Sequence, residues 1–418
     1  MEPERKISHR KNPFSITYFY LNSISIETLS MYLKLFIYLF ASVIILHQPV
    51  FAQEDTTIKP KPKPSKAIFK DTLDGKFDFS SFLIDAKGFI PVPFIITEPA
   101  VGGFGLAVVP IFLTPKKKPP GYTGYIAPDI TAGFAMYTVN QSWMVGGMRI
   151  SSIPAKGLKY RVGGGIADLN LSFYRDVANK GEKEFEFSVK ATPLVFSLSK
   201  RISKQEIYLG MQYFFSKNKL TPLFIDSLPS SIKSGEFESN VASLGTFIDW
   251  DKRDNFFTAD KGTRINIAYN ANDNWTGSNF TYQKLSGALN WFIPLQKNWI
   301  SGFRVETNFM FGDPPFYALP SLALRGVPAV RFQGYTTALV ETEQRVDLSL
   351  RWSAVAFAGL GKAMERNESF GDAETAYNFG GGFRYLVARL FRIRAGIDVA
   401  KGPDSWGWYI VFGHNWNR

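Results

Sequence analysis

The sequence predicts an all-β protein, a closed antiparallel transmembrane β-barrel of about 16 strands with one inward-folded loop. The first observation behind this prediction is a high aromatic content, with 38 Phe, 18 Tyr and 9 Trp among 418 residues. The second is a mean hydropathy of only −0.07. The apolar residues alternate with polar ones and do not form the run of about 20 that a membrane-spanning helix needs. Many rings on short alternating segments are typical of strands that face lipid on one side.

The alternation separates apolar from charged side chains most clearly in three segments. In GFRVETNFMFG, Phe303 and Phe309 lie on one face of the predicted strand, and Arg304 and Glu306 lie on the other. RVDLSLRW and FRIRAGIDV show the same division. A soluble β-sandwich also alternates and is the alternative interpretation. The number of segments favours a barrel, because an even number places both chain ends on one side and leaves no unpaired edge in lipid.

Sixteen strand candidates follow one another along the chain, separated by Gly, Asn, Asp, Pro and Lys. Their approximate ranges are 77–84, 104–114, 126–139, 142–152, 158–173, 185–200, 206–218, 240–250, 263–271, 280–294, 299–311, 338–351, 353–362, 376–388, 391–400 and 406–416. Most of these lengths suit tilted crossings of a bilayer.

The chain divides into three predicted parts. Residues 1–52 form an upstream extension and a secretory signal peptide, with a positive Lys34, an apolar core too short to span a bilayer, and cleavage after Ala52. An anchoring helix is the alternative. Residues 53–75 form a Lys/Pro-rich periplasmic tether that favours polyproline II. Residues 76–418 form the barrel, an integral multi-pass protein of the bacterial outer membrane. Because the tether is too short for a folded periplasmic module, the predicted mature protein is one domain.

Composition excludes several kinds of chemistry. The chain has no Cys, which excludes disulfides, thiolate nucleophiles and cysteine metal sites. Its net charge of +12 comes from basic residues that alternate along strands or cluster in linkers, which favours lipid headgroups over nucleic acid as a partner. After the predicted signal cleavage His414 is the only remaining His, and the sequence contains no GxSxG motif, HExxH motif or phosphate loop. We therefore expect no enzyme activity, no catalytic residue, no metal and no cofactor.

The last predicted strand, SWGWYIVFGHNWNR, has the polar, Gly, hydrophobic, hydrophobic spacing of a terminal recognition signal. Gly407, Ile410 and Phe412 carry this spacing. A strand of this kind can pair through its backbone with another sheet edge, which makes the barrel assembly machinery a predicted partner during biogenesis. The alternative is an ordinary closing strand whose tryptophans, Trp416 among them, lie at the membrane interfaces.

The segment WDKRDNFFTADKG, residues 250–262, resembles a turn between central strands of the BamA/TamA superfamily, also called the bacterial surface antigen family. The matching residues are Asp251, Arg253, Asp254, Asn255 and Gly262. Ala259 stands where the family usually has Pro. Physically, Asp254 and Asn255 can form an Asx-type turn, and Gly262 can adopt positive φ before the next strand.

The segment LRGVPAVRFQGYTTALVETEQR is similar to the signature loop of this family, in which an Arg-Gly tip folds back into the lumen. Arg325 and Gly326 match the tip, and Val327 replaces the usual aromatic residue. The resemblance implies that Arg325 docks against acidic residues on the inner wall and locks the loop. A guanidinium in a narrow lumen needs such a partner, because an unpaired charge is costly to desolvate.

The chain departs from the family at the acidic partner. The next strand of the family carries Phe-x-Asp-x-Gly, but Gly359 occupies the acidic position here. Glu341 and Glu343, which alternation places on one face of the preceding strand, are the predicted partners of Arg325, ahead of Asp347.

Two further segments resemble the family. GGGFRYLVARLFRIRAGIDVAKG is similar to the penultimate hairpin, and ITEPAVGGFGLAV, residues 96–108, looks like the opening strand. Together the matches cover roughly residues 90–418. The chain is thereby identified as a member without the periplasmic POTRA modules.

The resemblance implies a function in assembly. The family includes outer-membrane protein insertases and two-partner secretion transporters, so the chain is expected to assist insertion or translocation of an outer-membrane or surface protein client. A weak lateral seam between the first and last strands would serve this function, and the Gly-rich GGFGLAV would ease its opening. The alternatives are a passive or gated small-solute channel and, least favoured, an outer-membrane hydrolase.

Overall fold

The computed structural model describes residues 69–85, 89–97, 101–114, 116, 129–177, 181–224, 232–328 and 331–416. The predicted signal peptide and all of the predicted tether before residue 69 lie outside these ranges. The helices that lie completely within them are one α-helix, α1 (Ser80–Asp85), and single 3-10 turns at Pro154–Lys156, Ser234–Glu236, Asn274–Thr276 and Phe316–Ala318. No helix in the described ranges is both long and apolar enough to cross a membrane.

Sixteen strands, the predicted number, form one antiparallel sheet in which each strand pairs with its neighbours in the sequence. They are β1 (Phe89–Ile96), β2 (Gly105–Thr114), β3 (Asp129–Thr138), β4 (Trp143–Ile153), β5 (Leu158–Val177), β6 (Gly181–Arg201), β7 (Ile207–Pro222), β8 (Glu238–Asp251), β9 (Gly262–Asn272), β10 (Tyr282–Gln296), β11 (Trp299–Gly312), β12 (Thr336–Asp347), β13 (Trp352–Met364), β14 (Thr375–Ala388), β15 (Ile393–Lys401) and β16 (Trp406–Phe412). The predicted all-β class is confirmed, and the sheet forms a nearly closed barrel. We call the end where β1 begins and β16 ends the rim end, and the opposite end the loop end.

The barrel has a seam between β1 and β16. Ladders join all consecutive strands, but in the described part of the chain none joins β1 to β16. β1 contains Pro91 and Pro93, and Pro91 lies directly opposite Pro110 of β2. Two prolines cannot exchange N–H···O bonds, so this position is a non-bonded pair of the β1–β2 ladder, and the backbone nitrogens of residues 91 and 93 face the seam. The edge of β1 therefore offers β16 fewer donors than an ordinary strand.

The two faces of the wall divide as the alternation predicted. Phe303 and Phe309 of β11 are exposed on the outer face, whereas Arg304 and Asn308 are buried on the inner face. β12 and β15 show the same division. An apolar outer wall around a polar interior suits a barrel that lies in lipid.

The β5–β6 hairpin reverses this arrangement near its turn. Leu194 and Phe196, in the rim half of β6, are exposed. Nearer the turn Glu186 is exposed, while Phe185 and Phe187 are buried. The apolar face switches from outside to inside along one strand, so the outer half of the hairpin is built like a soluble protein and lies beyond the apolar band.

An apolar cluster fills the loop end. The rings of Phe173 of β5 and Phe187 of β6 have centroids 5.3 Å apart. Phe316, from the β11–β12 connection, lies 4.6 Å from Phe173, and Phe224 lies 5.2 Å from Phe187. Because these edge-on rings are buried together, they hold the β11–β12 connection against the buried face of the long hairpin.

Two predictions for the start of the barrel are wrong. The segment 77–84 is not a strand, because the Asp78 carboxylate accepts a 2.7 Å hydrogen bond from the Ser80 amide and α1 begins there. The segment 96–108 is not the opening strand, since it contains the end of β1, the β1–β2 turn and the start of β2. Gly102 and Gly103 have positive φ in that turn and do not belong to the seam.

Candidate functional site

Arg325, from the β11–β12 connection, is 3% exposed and lies among carboxylates of the wall. Its Nη1 donates to Glu343 Oε2 at 2.7 Å, and its Nη2 donates to Glu341 Oε1 at 3.1 Å. Both acids belong to β12, where alternation points them to the buried face. The structure thus brings together the four residues that the sequence analysis grouped, since Gly326 follows directly in the chain.

A third carboxylate, Asp398 of β15, was not among the predicted partners of Arg325. Its Oδ2 accepts a 2.8 Å hydrogen bond from Arg325 Nη1, and it also binds Arg384 of β14 at 2.5 and 2.9 Å. Asp347 pairs with Arg345 instead. The available signal was the charged face of FRIRAGIDV, but no local pattern indicates that β15 lies opposite the loop tip.

The loop tip fits closely against neighbouring groups. The Arg325 guanidinium carbon lies 3.4 Å from the centroid of the Phe357 ring, a cation–π contact. The Gly326 amide donates to the Tyr409 hydroxyl at 2.8 Å. Gly326 has φ of +79°, and a Cβ there would lie 2.8 Å from the Gly402 amide nitrogen. Both the conformation and the close approach require glycine at this position.

The side chain of Asn378 lies where an acid at residue 359 would extend. A Cβ on Gly359 would lie 2.6 Å from Asn378 Oδ1 and 3.1 Å from Glu341 Cγ. Asn378 Nδ2 donates to Glu341 Oε1 at 3.2 Å. An amide of β14 therefore contacts the same carboxylate from which an acid at residue 359 would be repelled.

Glu341 is the centre of this site. Besides Arg325 and Asn378, it accepts a 2.9 Å hydrogen bond from Arg304 Nη1 of β11 and a 2.6 Å hydrogen bond from the Trp416 indole. With four donors, its negative charge is compensated, as a buried carboxylate requires. Sequence reasoning missed Arg304 and Trp416 as members of the site.

Trp416 corrects one interpretation of the last strand. β16 ends at Phe412, Gly413 has φ of +75°, and the following residues turn inward. Trp416 is 1% exposed, and its carbonyl accepts a hydrogen bond from Asn290 of β10. It therefore lies inside the barrel, not at a membrane interface.

The three residues of the predicted terminal signal lie on β16. Gly407, Ile410 and Phe412 pair with Ala400, Ile397 and Ala395 of β15. Phe412 is exposed on the outer face, and Ile410 is half-buried. Their role in recognition during biogenesis stays a prediction.

The family turn, residues 251–262, joins β8 to β9 at the rim end. Arg253 binds Asp251 through Nε at 2.9 Å and Nη2 at 2.7 Å. Asn255 Oδ1 accepts hydrogen bonds from the backbone amides of residues 257 and 258. Asp254 Oδ1 accepts hydrogen bonds from those of residues 260 and 261. Gly262 has φ of +107°, and a Cβ there would meet the Lys252 carbonyl. These bonds fold the turn into one defined shape.

The same turn crosses the barrel mouth. Asp254 pairs with Arg392 of the β14–β15 turn at 2.8 Å, and Arg253 Nη1 lies 3.1 Å from His414 Nε2. Ala259, in place of the family's Pro, packs in a buried cluster with Trp416. The turn and the chain after β16 thus pack together at the rim end. In the described ranges no three His, Asp or Glu side chains are arranged to hold a metal.

Comparisons with known proteins agree with this architecture. A family model described as the Omp85 superfamily domain matches residues 156–319. BamA from Haemophilus ducreyi lacking POTRA domains 1–3 is similar in structure, with 12% identity and a TM-score of 0.51 over 77% of this chain and 69% of that chain. CdiB from Escherichia coli is similar with 11% identity and a TM-score of 0.52, over 75% of this chain and 60% of that chain.

The match spans less than two thirds of the E. coli CdiB chain. At these identities the structural likeness shows the fold alone. No curated protein matches the sequence significantly. The match to the Omp85 superfamily domain and the sixteen-stranded antiparallel barrel agree with the resemblance of this chain to the BamA/TamA proteins.

Proposed function

We propose that this barrel assists insertion or translocation of outer-membrane or surface proteins through the seam between β1 and β16. The observation that carries the proposal is the absence of a β1–β16 ladder in the described part of the chain, together with Pro91 and Pro93 on the seam edge of β1. A strand edge with unpaired backbone groups can accept a strand from another chain, whereas a barrel whose first and last strands are fully hydrogen-bonded cannot. The family resemblance supports a client of this kind.

The contacts of the β11–β12 connection support a lumen-loop lock at Arg325. Three carboxylates on two strands hold its guanidinium, and Trp416 occupies the neighbouring side of Glu341. A lumen occupied in this way favours a seam function over the alternative of a solute channel. If the connection fills the lumen, its deletion raises single-channel conductance. An unchanged conductance would count against a plug.

The prolines allow a direct test in cells depleted of the native protein. Pro91→Val and Pro93→Val together restore two N–H donors that face β16, so the seam should pair and complementation should fail. Pro110→Val is the matched control, because its nitrogen faces β3, where the β2–β3 register skips residues 109 and 110. Full complementation by the double variant, with slowed amide exchange in β16, would show that the seam is not the working edge.

Outer-membrane proteomics after depletion identifies the client. Broad loss of barrel proteins would support assembly, and loss of one surface protein would support dedicated export. An unchanged proteome would contradict both and favour a channel. A disulfide between Ile248→Cys and Ile267→Cys, which face each other across the β8–β9 ladder, controls for general effects of cross-linking when cysteines are placed across the seam.

A further inference from the structure

The residues before β1 form a compact element at the rim end, which we call the N-terminal strap, residues 69–85. An antiparallel bridge between Lys70 and Phe77 closes a short hairpin, and α1 follows. Its four phenylalanines pack on one another, with ring centroids 4.8 to 6.4 Å apart; they are Phe69, Phe77, Phe79 and Phe82. The four rings form one aromatic cluster within the strap, in which Phe77 is exposed and the other three are half-buried.

Arg351 of the β12–β13 turn is the first anchor of the strap. Its side chain is fully buried and binds three aspartates of the strap. Arg351 Nε donates to Asp74 Oδ2 at 2.7 Å, and Nη1 donates to Asp78 Oδ2 at 2.5 Å. Nη2 binds Asp71. A guanidinium whose three nitrogens all donate to carboxylates makes a strong and directional contact.

The β14–β15 region is the second anchor. Arg389 binds Asp71, with Nη2 to Oδ1 at 2.9 Å. The Phe79 amide donates to the Val387 carbonyl at 2.7 Å, and the Tyr385 hydroxyl donates to the Phe77 carbonyl at 3.0 Å. Side chains and backbone thus both join the strap to the end of β14 and the turn that follows it.

The strap connects the two sides of the seam. Along the chain, the strap leads into β1, on one side of the seam. The contacts of the strap are with the β12–β13 turn, β14 and the β14–β15 turn, which lie on the β16 side of the seam. It therefore spans the seam at the rim end, where β1 begins and β16 ends.

We infer that the N-terminal strap holds the two sides of the seam together at the rim end. Separation of β1 from β16 therefore begins at the loop end. The inference rests on the proposed seam function for its use in the cell. Moving β1 away from β16 at the rim end would require the Asp–Arg351 contacts to break. At the loop end no strap contact opposes separation in the described residues.

The test is amide exchange by mass spectrometry on the purified full chain in lipid nanodiscs. Asp71→Asn, Asp74→Asn and Asp78→Asn together remove the charge while keeping side-chain shape. We expect exchange in both the strap and β1 to become at least tenfold faster, with β8 and β9 unchanged. Asp254→Asn is the matched control, because it weakens the Arg392 ion pair at the same rim without crossing the seam.

Fast exchange in the strap with wild-type exchange in β1 would overturn the inference and leave the strap a mere terminal anchor. If the triple variant does not fold, Asp74→Asn alone should give a smaller acceleration in the same two segments, and no change in β1 would again overturn it. These measurements need no client. A depletion proteome without change would contradict the proposed function and leave the strap intact.

Discussion

The indole of Trp416 donates a 2.6 Å hydrogen bond to Glu341 Oε2 in the barrel interior. This contact joins the segment after the last strand to the carboxylate that also binds Arg325. Trp416→Phe keeps most of the ring and removes only the donor. We expect a loss of about 1–3 kcal/mol in unfolding free energy, the usual cost of leaving a buried acceptor with one partner fewer. Urea unfolding in liposomes measures it.

Trp408→Phe is the control for this change, since Trp408 lies exposed on the outer face of β16. It should alter the unfolding free energy much less than Trp416→Phe. Equal effects of the two substitutions would mean that the interior hydrogen bond contributes nothing specific.

Arg325→Ala leaves Glu341, Glu343 and Asp398 close together without their shared cation. Removing one member of a buried ion network costs about 3–5 kcal/mol, because the remaining charges stay desolvated. We expect a smaller heat-modifiable folded fraction and greater leakage of a small dye from proteoliposomes. Arg331→Ala, in the same connection but paired with the more exposed Asp404, should behave like wild type. Wild-type folding and leakage in Arg325→Ala would refute the lock.

Gly359→Asp restores the acid that the family carries at this position but should not strengthen the site. The new side chain would collide with Asn378 and place a second negative charge beside Glu341. We expect destabilisation by about 3 kcal/mol or more, as for an uncompensated buried charge. Gly359→Ala separates the steric part, for which overpacking predicts about 1–3 kcal/mol. A raised unfolding temperature for Gly359→Asp would mean that the site accommodates an acid at residue 359 beside Asn378 and Glu341, and would contradict this prediction.

The strap should respond to acid only at low pH. The hydrogen bond from Arg389 lowers the pKa of Asp71, and the hydrogen bond from Arg351 lowers the pKa of Asp74, both below the ordinary value of 3.8. Groups with a lowered pKa stabilise the folded contact above the ordinary value and lose that effect as the pH falls through the folded pKa. Strap docking should therefore be constant from pH 8 to about 5 and weaken only below about 4.

A spin label on Leu73→Cys measures this dependence, because Leu73 is 66% exposed and the chain has no other Cys. The label should be immobilised at neutral pH and mobile in strong acid. Release between pH 7 and 5 would contradict the assignment of the aspartates as the anchors. A label on Phe370→Cys, in the exposed β13–β14 connection, controls for general acid unfolding.

The strand pattern was predictable because lipid outside and charge inside impose a period of two on every strand, as Phe303 and Arg304 illustrate. The Glu341 and Glu343 contacts of Arg325 could be grouped from alternation and family resemblance. Asp398 could not be grouped with Arg325 in this way, because no local sequence pattern indicates which strand of the wall faces the loop tip. The same limit applies to Arg351 and Asp71, which are 280 positions apart in the sequence.

The weak seam was predicted from the wrong residues, although the sequence contains a signal for it. The Gly-rich segment was expected to weaken the seam, but Gly102 and Gly103 form a turn. Pro91 and Pro93 lie on the edge strand itself, and two prolines two residues apart remove successive donors from the same edge of a strand. The alternating prolines of FIPVPFII therefore carried the information about the seam.

The switch of faces along the β5–β6 hairpin determines how far the hairpin extends beyond the apolar band. β5 and β6 have 20 and 21 residues, so a tilted hairpin of this length rises about 50 Å, against an apolar band about 25 Å tall. The remainder stands clear of the bilayer with Glu186 facing water and Phe187 turned inward. If the loop end faces the outside of the cell, as the proposed function requires, we expect the outer half of this hairpin to be accessible to antibodies and added proteases on intact cells.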